Sequence, residues 1–143
     1  MKKTTKVTEE MITGKVGDMN EPQEEIKKDE VIPEKVFATI DDFLKIEIKL
    51  GTVVSVNVVE GADKLFILQV DLGEASPRQI LSGIREFVQP EDLLGKQFPF
   101  VTNLAPRMLR GHESQGMILA GSTDDSFALL NPTTPLPNGT KLR

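Results

Sequence analysis

The feature that most constrains the fold is a series of short apolar runs, separated by turn-forming residues, between residues 46 and 120. Ile46, Ile48 and Leu50 alternate with charged residues, and a β-branched run resumes at 53–59 after Gly51. Alternation with a period of two predicts a strand that buries one face. A glycine inside such a strand predicts a bulge or a sharp bend, which lets a small barrel coil its first strand.

Four further strands and two short helices follow from the same reasoning. Residues 65–72 predict a second strand, joined to the first by a slightly longer hairpin loop at 61–64. Residues 78–84, 97–102 and 117–120 predict the third, fourth and fifth strands. Thr39 or Asp41 can cap a helix over residues 42–45, and a second helix over 90–95 begins with proline and ends with glycine.

This order predicts an all-β fold. Three strands, a short helix and two more strands form the order of the five-stranded OB barrel, with another short helix before the first strand. From Phe127 the chain is rich in proline and contains Asn138-Gly139, which predicts a C-terminal extension of turns and short strands outside the barrel.

The first 36 residues differ in composition from the rest of the chain. They are densely charged and hold no aromatic residue, which predicts a disordered or loosely helical tail, with the folded domain spanning residues 37–143. The chain has no run of about 18 apolar residues and no apolar stretch behind its first lysines, so neither a membrane span nor a signal peptide is predicted. We therefore expect a cytoplasmic protein.

Composition excludes most enzyme chemistry. The chain has no cysteine and a single histidine, His112, so disulfides, thiol nucleophiles, cysteine zinc sites and multi-histidine metal sites are ruled out. Its acidic pairs fall at helix starts or in a loop and do not organise as a metal site. We predict a protein that is not an enzyme by itself and has no catalytic residue, metal or cofactor.

The stretch from residue 103 to residue 117, NLAPRMLRGHESQGM, carries the clearest binding chemistry. Arg107 and Arg110 lie three positions apart in a predicted rigid loop, and Asn103, Ser114 and Gln115 supply neutral hydrogen-bonding groups. Two guanidinium groups so placed can fork onto phosphate oxygens. Local chemistry leaves a second interpretation open, in which both arginines are solvated loop charges.

Two weaker features accompany this stretch. Lys64 lies in the predicted loop between the first two strands, one of the loops with which OB barrels bind oligonucleotides, although such a turn can also serve solubility. Ser82, before a glycine at the end of the third strand, either caps a bend or contacts a ligand.

Charge and aromatic content shape the expected binding. Residues 37–143 hold ten Lys or Arg against thirteen Asp or Glu, so binding of nucleic acid would depend on a few salt-sensitive contacts. The chain has no Trp and no Tyr. Because single-strand binders need exposed aromatic platforms, the sequence favours recognition of folded RNA by shape and backbone.

Several motifs together resemble a known family. The segments ADKL, SGI, PEDLLGK, NLAPRMLRGHESQGMIL and PNGT, in this order along residues 39–143, resemble the tRNA-binding domain of three groups of proteins. These are the C-terminal domains or separate subunits of methionyl-tRNA synthetases, small stand-alone tRNA-binding proteins, and the endothelial-monocyte-activating polypeptides. The resemblance implies an OB barrel without catalysis that grasps tRNA by its folded shape, and a homodimer formed through C-terminal elements.

By matching position, the resemblance implies a set of RNA contacts, to which local chemistry adds Gln115. The full set of predicted site residues is Lys49, Lys64, Ser82, Asn103, Arg107, Arg110, Ser114, Gln115 and Met117. The expected partners are tRNA, a second copy of the chain and the catalytic chain of methionyl-tRNA synthetase. The alternative is a protein–protein interaction module that docks a synthetase or a scaffold through the same loops.

Overall fold

A computed structural model of the chain describes residues 36–143. The elements in this range are α1 (Ile40–Leu44), β1 (Ile48–Val59), β2 (Ala62–Asp71), β3 (Arg78–Ser82), α2 (Pro90–Leu93), β4 (Gln97–Val101), β5 (Arg107–Leu109), β6 (His112–Ser114), β7 (Met117–Ile118), β8 (Ala120–Ser122) and β9 (Phe127–Leu129). The predicted tail lies outside the described residues except for Val36, and it stays a prediction. Neither helix in residues 36–143 is long and apolar enough to span a bilayer.

The principal sheet is antiparallel and has five strands in the order β3-β2-β1-β4-β7. The short helix α2 lies between its third and fourth strands in sequence. This arrangement confirms the predicted all-β class and the strand order of an OB-like fold. The predicted helix before the first strand is also present, capped by Thr39, whose hydroxyl accepts a hydrogen bond from the Asp42 amide at 3.1 Å.

Strand β1 contains the predicted irregularity, but at a different residue. Gly51 pairs regularly with Phe98 of β4, and the register shift between β1 and β2 falls between Val53 and Ser55. A Cβ atom at Gly51 would lie 2.7 Å from a methyl carbon of Val70 and 2.7 Å from one of Leu72. The prediction that Gly51 itself forms the bulge is therefore wrong, and close approach of the core explains this glycine.

The hairpin between β1 and β2 is tighter than predicted. Val59 pairs with Ala62, so the turn is Glu60-Gly61, with Gly61 at a φ of 81°. The next pair joins Val58 to Phe66, which leaves residues 63–65 of β2 without partners in β1. The extra length expected in the loop is present as a wide irregularity inside the strand, and it carries Lys64.

Two apolar clusters organise the interior. The larger lies inside the barrel and includes the fully buried side chains of Phe66, Phe98, Phe100, Leu68, Ile80 and Leu93. The smaller cluster consists of Val59, Ala62, Ile67 and Leu81, with Leu65 and Leu109 packed against it. Because Leu109 belongs to β5, this second cluster joins the β5–β6 hairpin to the turn between β1 and β2.

No regular ladder joins the edge strands β3 and β7, and residues 113–115 bond to β3 instead. The Gln115 amide donates to Gln79 O at 2.8 Å, and the Leu81 amide donates to Ser114 Oγ at 3.0 Å. The Gln79 side chain adds a third bond, to Glu113 O at 2.9 Å. Residues 113–116 thus bridge the two edges of the sheet. A Cβ atom at Gly116 would lie 2.8 Å from Ile80 Cδ1 and 3.0 Å from Val101 O, so this bridge requires glycine.

The C-terminal extension returns to the first strand. Phe127 of β9 stacks on Phe87, with the ring centroids 4.9 Å apart. Further on, the Leu50 amide donates to Thr140 O at 2.9 Å, and the Leu142 amide donates to Ile48 O at 2.8 Å. The predicted extension of turns and short strands is therefore confirmed, and its last residues line the start of β1.

Candidate nucleic-acid interface

The two arginines predicted to lie in a loop belong to a β-hairpin. Arg107 pairs with Ser114 and Leu109 pairs with His112, which leaves Arg110 and Gly111 as the turn. Both turn residues have positive φ, 52° and 82°, as a type I′ turn requires. Arg110 is the non-glycine residue with positive φ in the part of the chain that the structure describes.

Both arginines of the hairpin are exposed to solvent. Arg107 and Arg110 are exposed, whereas Leu109 is partly buried and packs on the smaller apolar cluster. One inward leucine between two exposed arginines anchors the hairpin by its apolar side. The arginines are therefore presented on a supported two-stranded element.

Lys64 is held near the same cluster. Its neighbour Leu65 packs against the cluster that Leu109 also contacts. The Lys64 side chain is 73% exposed, and its Nζ lies 4.0 Å from Glu86 Oε2, so this ion pair is loose and solvated. We call Lys64, Arg107 and Arg110 the basic rim.

Among three further predicted site residues, two are buried and two bond the protein backbone through their side chains. Ser82 and Ser114 are buried, and Ser114 Oγ accepts the Leu81 amide and donates to Gly116 O at 3.1 Å. Asn103 uses both ends of its amide, because Oδ1 accepts the Glu47 amide at 2.8 Å and Nδ2 donates to Lys45 O at 2.7 Å. Asn103 and Ser114 thus hold the backbone on either side of the hairpin turn.

The other predicted residues fall into two places. Gln115 and Met117 are exposed just after the hairpin, and Met117 lines a small cavity of about 100 Å³ together with Arg107. Lys49 lies near the opposite end of β1 from the turn, bridged to Lys141 of the extension. Its Nζ is 3.6 Å from Glu47 Oε1. Lys49 therefore stands apart from the elements that form the basic rim.

The neighbours of Glu47 lower the pKa of its carboxyl group. The Thr102 hydroxyl donates to Glu47 Oε1 at 2.7 Å, and this bond, with the positive charges of Lys49 and Lys141, holds the pKa of the carboxyl below its ordinary value of 4.5. Within residues 36–143 no group of three or more acidic or histidine side chains is placed to hold a metal ion.

One residue that sequence reasoning missed stands at the base of the hairpin. The Arg78 Nη1 group donates to Thr102 O at 2.5 Å and to Gln115 O at 3.2 Å, while Nε donates to Glu74 Oε1 at 3.3 Å. A single arginine at the start of a strand carries no local signal of such contacts, since its partners are distant in sequence.

The fold and the interface define a class. The five-stranded sheet, with α2 between β3 and β4, places the chain among OB-like folds, a class that includes modules that bind oligonucleotides and oligosaccharides. Residues 48–141 match the family model described as "Putative tRNA binding domain". The chain belongs to this tRNA-binding domain family, as the sequence motifs predict.

The chain is similar to one part of longer curated proteins. The chain is 44% identical over 127 residues to a methionine–tRNA ligase of Listeria monocytogenes, which covers 89% of this chain and 19% of the ligase. It is 48% identical over 107 residues to the methionine–tRNA ligase of Methanococcoides burtonii, covering 74% of this chain and 16% of that protein. The chain spans about a fifth of the length of such relatives.

Two solved structures have folds similar to that of this chain. A methionyl-tRNA-synthetase-related protein from Pyrococcus horikoshii superimposes with a TM-score of 0.72 at 34% identity, covering 76% of this chain and all of that one. The chaperone CsaA from Bacillus anthracis superimposes with a TM-score of 0.68 at 32% identity over the same shares.

Proposed function

We propose that this chain is a non-catalytic module that binds folded tRNA through the basic rim. The observation that carries the proposal is the β5–β6 hairpin, which presents Arg107 and Arg110 to solvent while Leu109 fixes it beside the Lys64 segment. Guanidinium groups on a supported element can fork onto phosphate oxygens. Gln115 and Met117, exposed beside the hairpin, complete the contact surface.

The positions of the aromatic side chains support recognition of RNA by its shape and backbone. Phe87 and Phe127 stack on each other, so one face of each ring is covered. Three of the other phenylalanine rings, Phe66, Phe98 and Phe100, are buried in the barrel. A row of open rings, on which successive bases of a single strand could stack, is not formed by these residues.

The module acts beside methionyl-tRNA synthetase, as an appended domain or a separate subunit, in the cytoplasm. The relatives named above support this role, since a domain of this family forms about a fifth of them. A second RNA contact linked to a catalytic domain raises the effective concentration of tRNA at its active site.

The same module forms a homodimer through its C-terminal extension. Leu130 and Leu136 are each 46% exposed and line an apolar groove of about 380 Å³ with Leu50, Pro99 and Leu142. Exposed apolar side chains in one groove favour coverage by a second chain. Leu136→Glu should shift the molar mass measured by light scattering from dimer to monomer, and a monomeric parent protein would refute this part of the proposal.

A protein–protein docking role is the second candidate. Met108 is 66% exposed between the two arginines, and methionine is common at adaptable protein-binding surfaces. In this alternative the hairpin docks a synthetase or scaffold, and RNA binding is incidental.

Filter binding of folded and heat-unfolded tRNA at two salt concentrations tests the first candidate. We expect folded tRNA to bind more tightly, and the double variant Arg107→Glu/Arg110→Glu to abolish that preference. Lys45→Glu/Lys96→Glu changes the net charge equally at exposed sites outside the rim and serves as the control. Equal weak binding of both RNAs would refute shape recognition. Loss of a synthetase pull-down with unchanged tRNA retention would favour docking.

A further inference from the structure

The segment that carries the rim arginines leaves the barrel at Thr102 and rejoins it at Gln115, and one guanidinium holds both points. Arg78 Nη1 donates to the carbonyl oxygens of Thr102, at 2.5 Å, and Gln115, at 3.2 Å. The hairpin between these points contacts the barrel through side chains such as Leu109, so its orientation depends on how its two ends are fixed.

The other edge of the same guanidinium is fixed by Glu74. Arg78 Nε donates to Glu74 Oε1 at 3.3 Å, and Nη2 pairs with Oε2 of the same carboxylate. The Arg78 side chain is 21% exposed, and its planar fork contacts a carboxylate on one edge and two carbonyl groups on the other. A lysine ammonium is a single point charge and cannot hold both edges in this geometry.

We propose that Arg78 is a positioning residue for tRNA binding, which sets the hairpin so that Arg107 and Arg110 meet phosphate groups together. This inference rests on the proposed tRNA-binding function. In this role Arg78 acts through the protein, since four of the five N–H donors of its guanidinium bond to Glu74, Thr102 and Gln115. Glu74 assists tRNA binding although it carries a negative charge, because it holds the guanidinium in place.

Replacement of Glu74 tests the proposal, because positioning and simple electrostatics predict opposite changes in the affinity for tRNA. Electrostatics alone predicts that Glu74→Gln raises the affinity for tRNA, since the variant loses a negative charge close to the RNA site. Positioning predicts a severalfold loss of affinity instead. Glu91→Gln removes the same charge from α2, outside the hairpin, and should leave the affinity unchanged or slightly higher. Unchanged or higher affinity in Glu74→Gln, whether the gain equals or exceeds that of Glu91→Gln, would overturn the proposal.

A double-mutant cycle separates positioning from general stability. Arg78→Lys, which keeps the charge, should weaken tRNA binding about tenfold in the parent chain, the loss of about one charge-assisted contact. In the Arg107→Gln/Arg110→Gln background the same change should alter affinity less than about twofold, because the groups that Arg78 positions are gone. An equal loss in both backgrounds would mean that Arg78 acts by direct contact or by global stability, and would overturn the proposal.

Hydrogen exchange of the full chain provides a readout without RNA. In Arg78→Lys the amides of residues 109–112 should exchange faster, while those of the β1–β2 ladder keep their protection. Uniform acceleration in both regions would refute a local positioning role. If the parent chain fails to bind tRNA although hairpin exchange responds as expected, the proposed function fails and the positioning of the hairpin stands.

Discussion

Replacement of Gly51 by alanine tests why β1 contains a glycine. Gly51 pairs regularly with Phe98, and a new Cβ atom would lie 2.7 Å from both Val70 Cγ1 and Leu72 Cδ2 and 3.2 Å from Asp71 O. Val70 and Leu72 are 0% and 2% exposed, so neither methyl group can move aside into solvent. The sequence pattern alone predicts a bulge or a bend at this position, and because Gly51 is not among the glycines with positive φ, its backbone conformation by itself would tolerate alanine.

The two explanations predict opposite signs. Where alanine fits, replacing glycine stabilises a protein by about 0.4–1 kcal/mol, because the unfolded chain loses freedom. Overpacking of a filled core costs about 1–3 kcal/mol. The contacts at Gly51 select the second case, with a net loss of about 2 kcal/mol, which lowers Tm by roughly 10 °C for a domain of this size.

Thermal and urea unfolding followed by circular dichroism measures this loss, with Gly83→Ala as the matched control. At Gly83 the nearest atom to a new Cβ is Lys64 O at 3.9 Å, an ordinary contact, so its Tm should stay within about 2 °C of the parent. A Gly51→Ala protein as stable as the parent, or more stable, would refute the close-approach explanation.

Three further predictions concern the interface and its supports. With three rim cations, the affinity of the parent chain for tRNA should fall about 40-fold between about 50 and 200 mM salt, and that of Arg107→Gln/Arg110→Gln about 3.5-fold. Filter-binding titrations measure both slopes, and equal slopes would show that the two arginines do not contact phosphate groups. Because the pKa of Glu47 is lowered in the folded state, its contribution to stability is present above pH 4.5 and is lost as the pH falls through the folded-state pKa. The stability of Glu47→Gln should therefore fall less steeply in acid, and identical pH curves from urea unfolding would contradict this. Asn103→Ala removes two hydrogen bonds to the backbone and should cost about 1–2 kcal/mol in urea unfolding, whereas an unchanged midpoint would refute its role as a link.

Most strands of the fold can be predicted from local pattern. The alternation around Leu50, the apolar run after Lys64 and the proline that opens α2 each act over a few neighbouring residues, and the structure places strands or helices there. Boundaries are less predictable, and α1 begins at Ile40, two residues before the predicted start. Helix ends depend on which cap forms, and here the Thr39 cap does.

The hairpin that carries Arg107 and Arg110 cannot be predicted from local sequence pattern. Its strands are three residues long, too short for alternation to be visible, and its turn is Arg110-Gly111 instead of the Asn-Gly or Asp-Gly pair that predicts a type I′ turn. Bonds from the barrel to residues 113–115 hold this segment in place. A loop is therefore the natural prediction from the sequence and a hairpin is the outcome.

By itself, the sequence determined which residues could form a core, which cations were available for RNA, and to which family the chain belongs, because these properties are carried by residue types in order. The tertiary structure decided which polar side chains hold distant parts of the backbone together. Asn103 reaches a carbonyl 58 residues away, and Arg78 closes the hairpin across 24 and 37 residues. Such contacts form when folding brings distant segments together, so no local pattern of residues contains them.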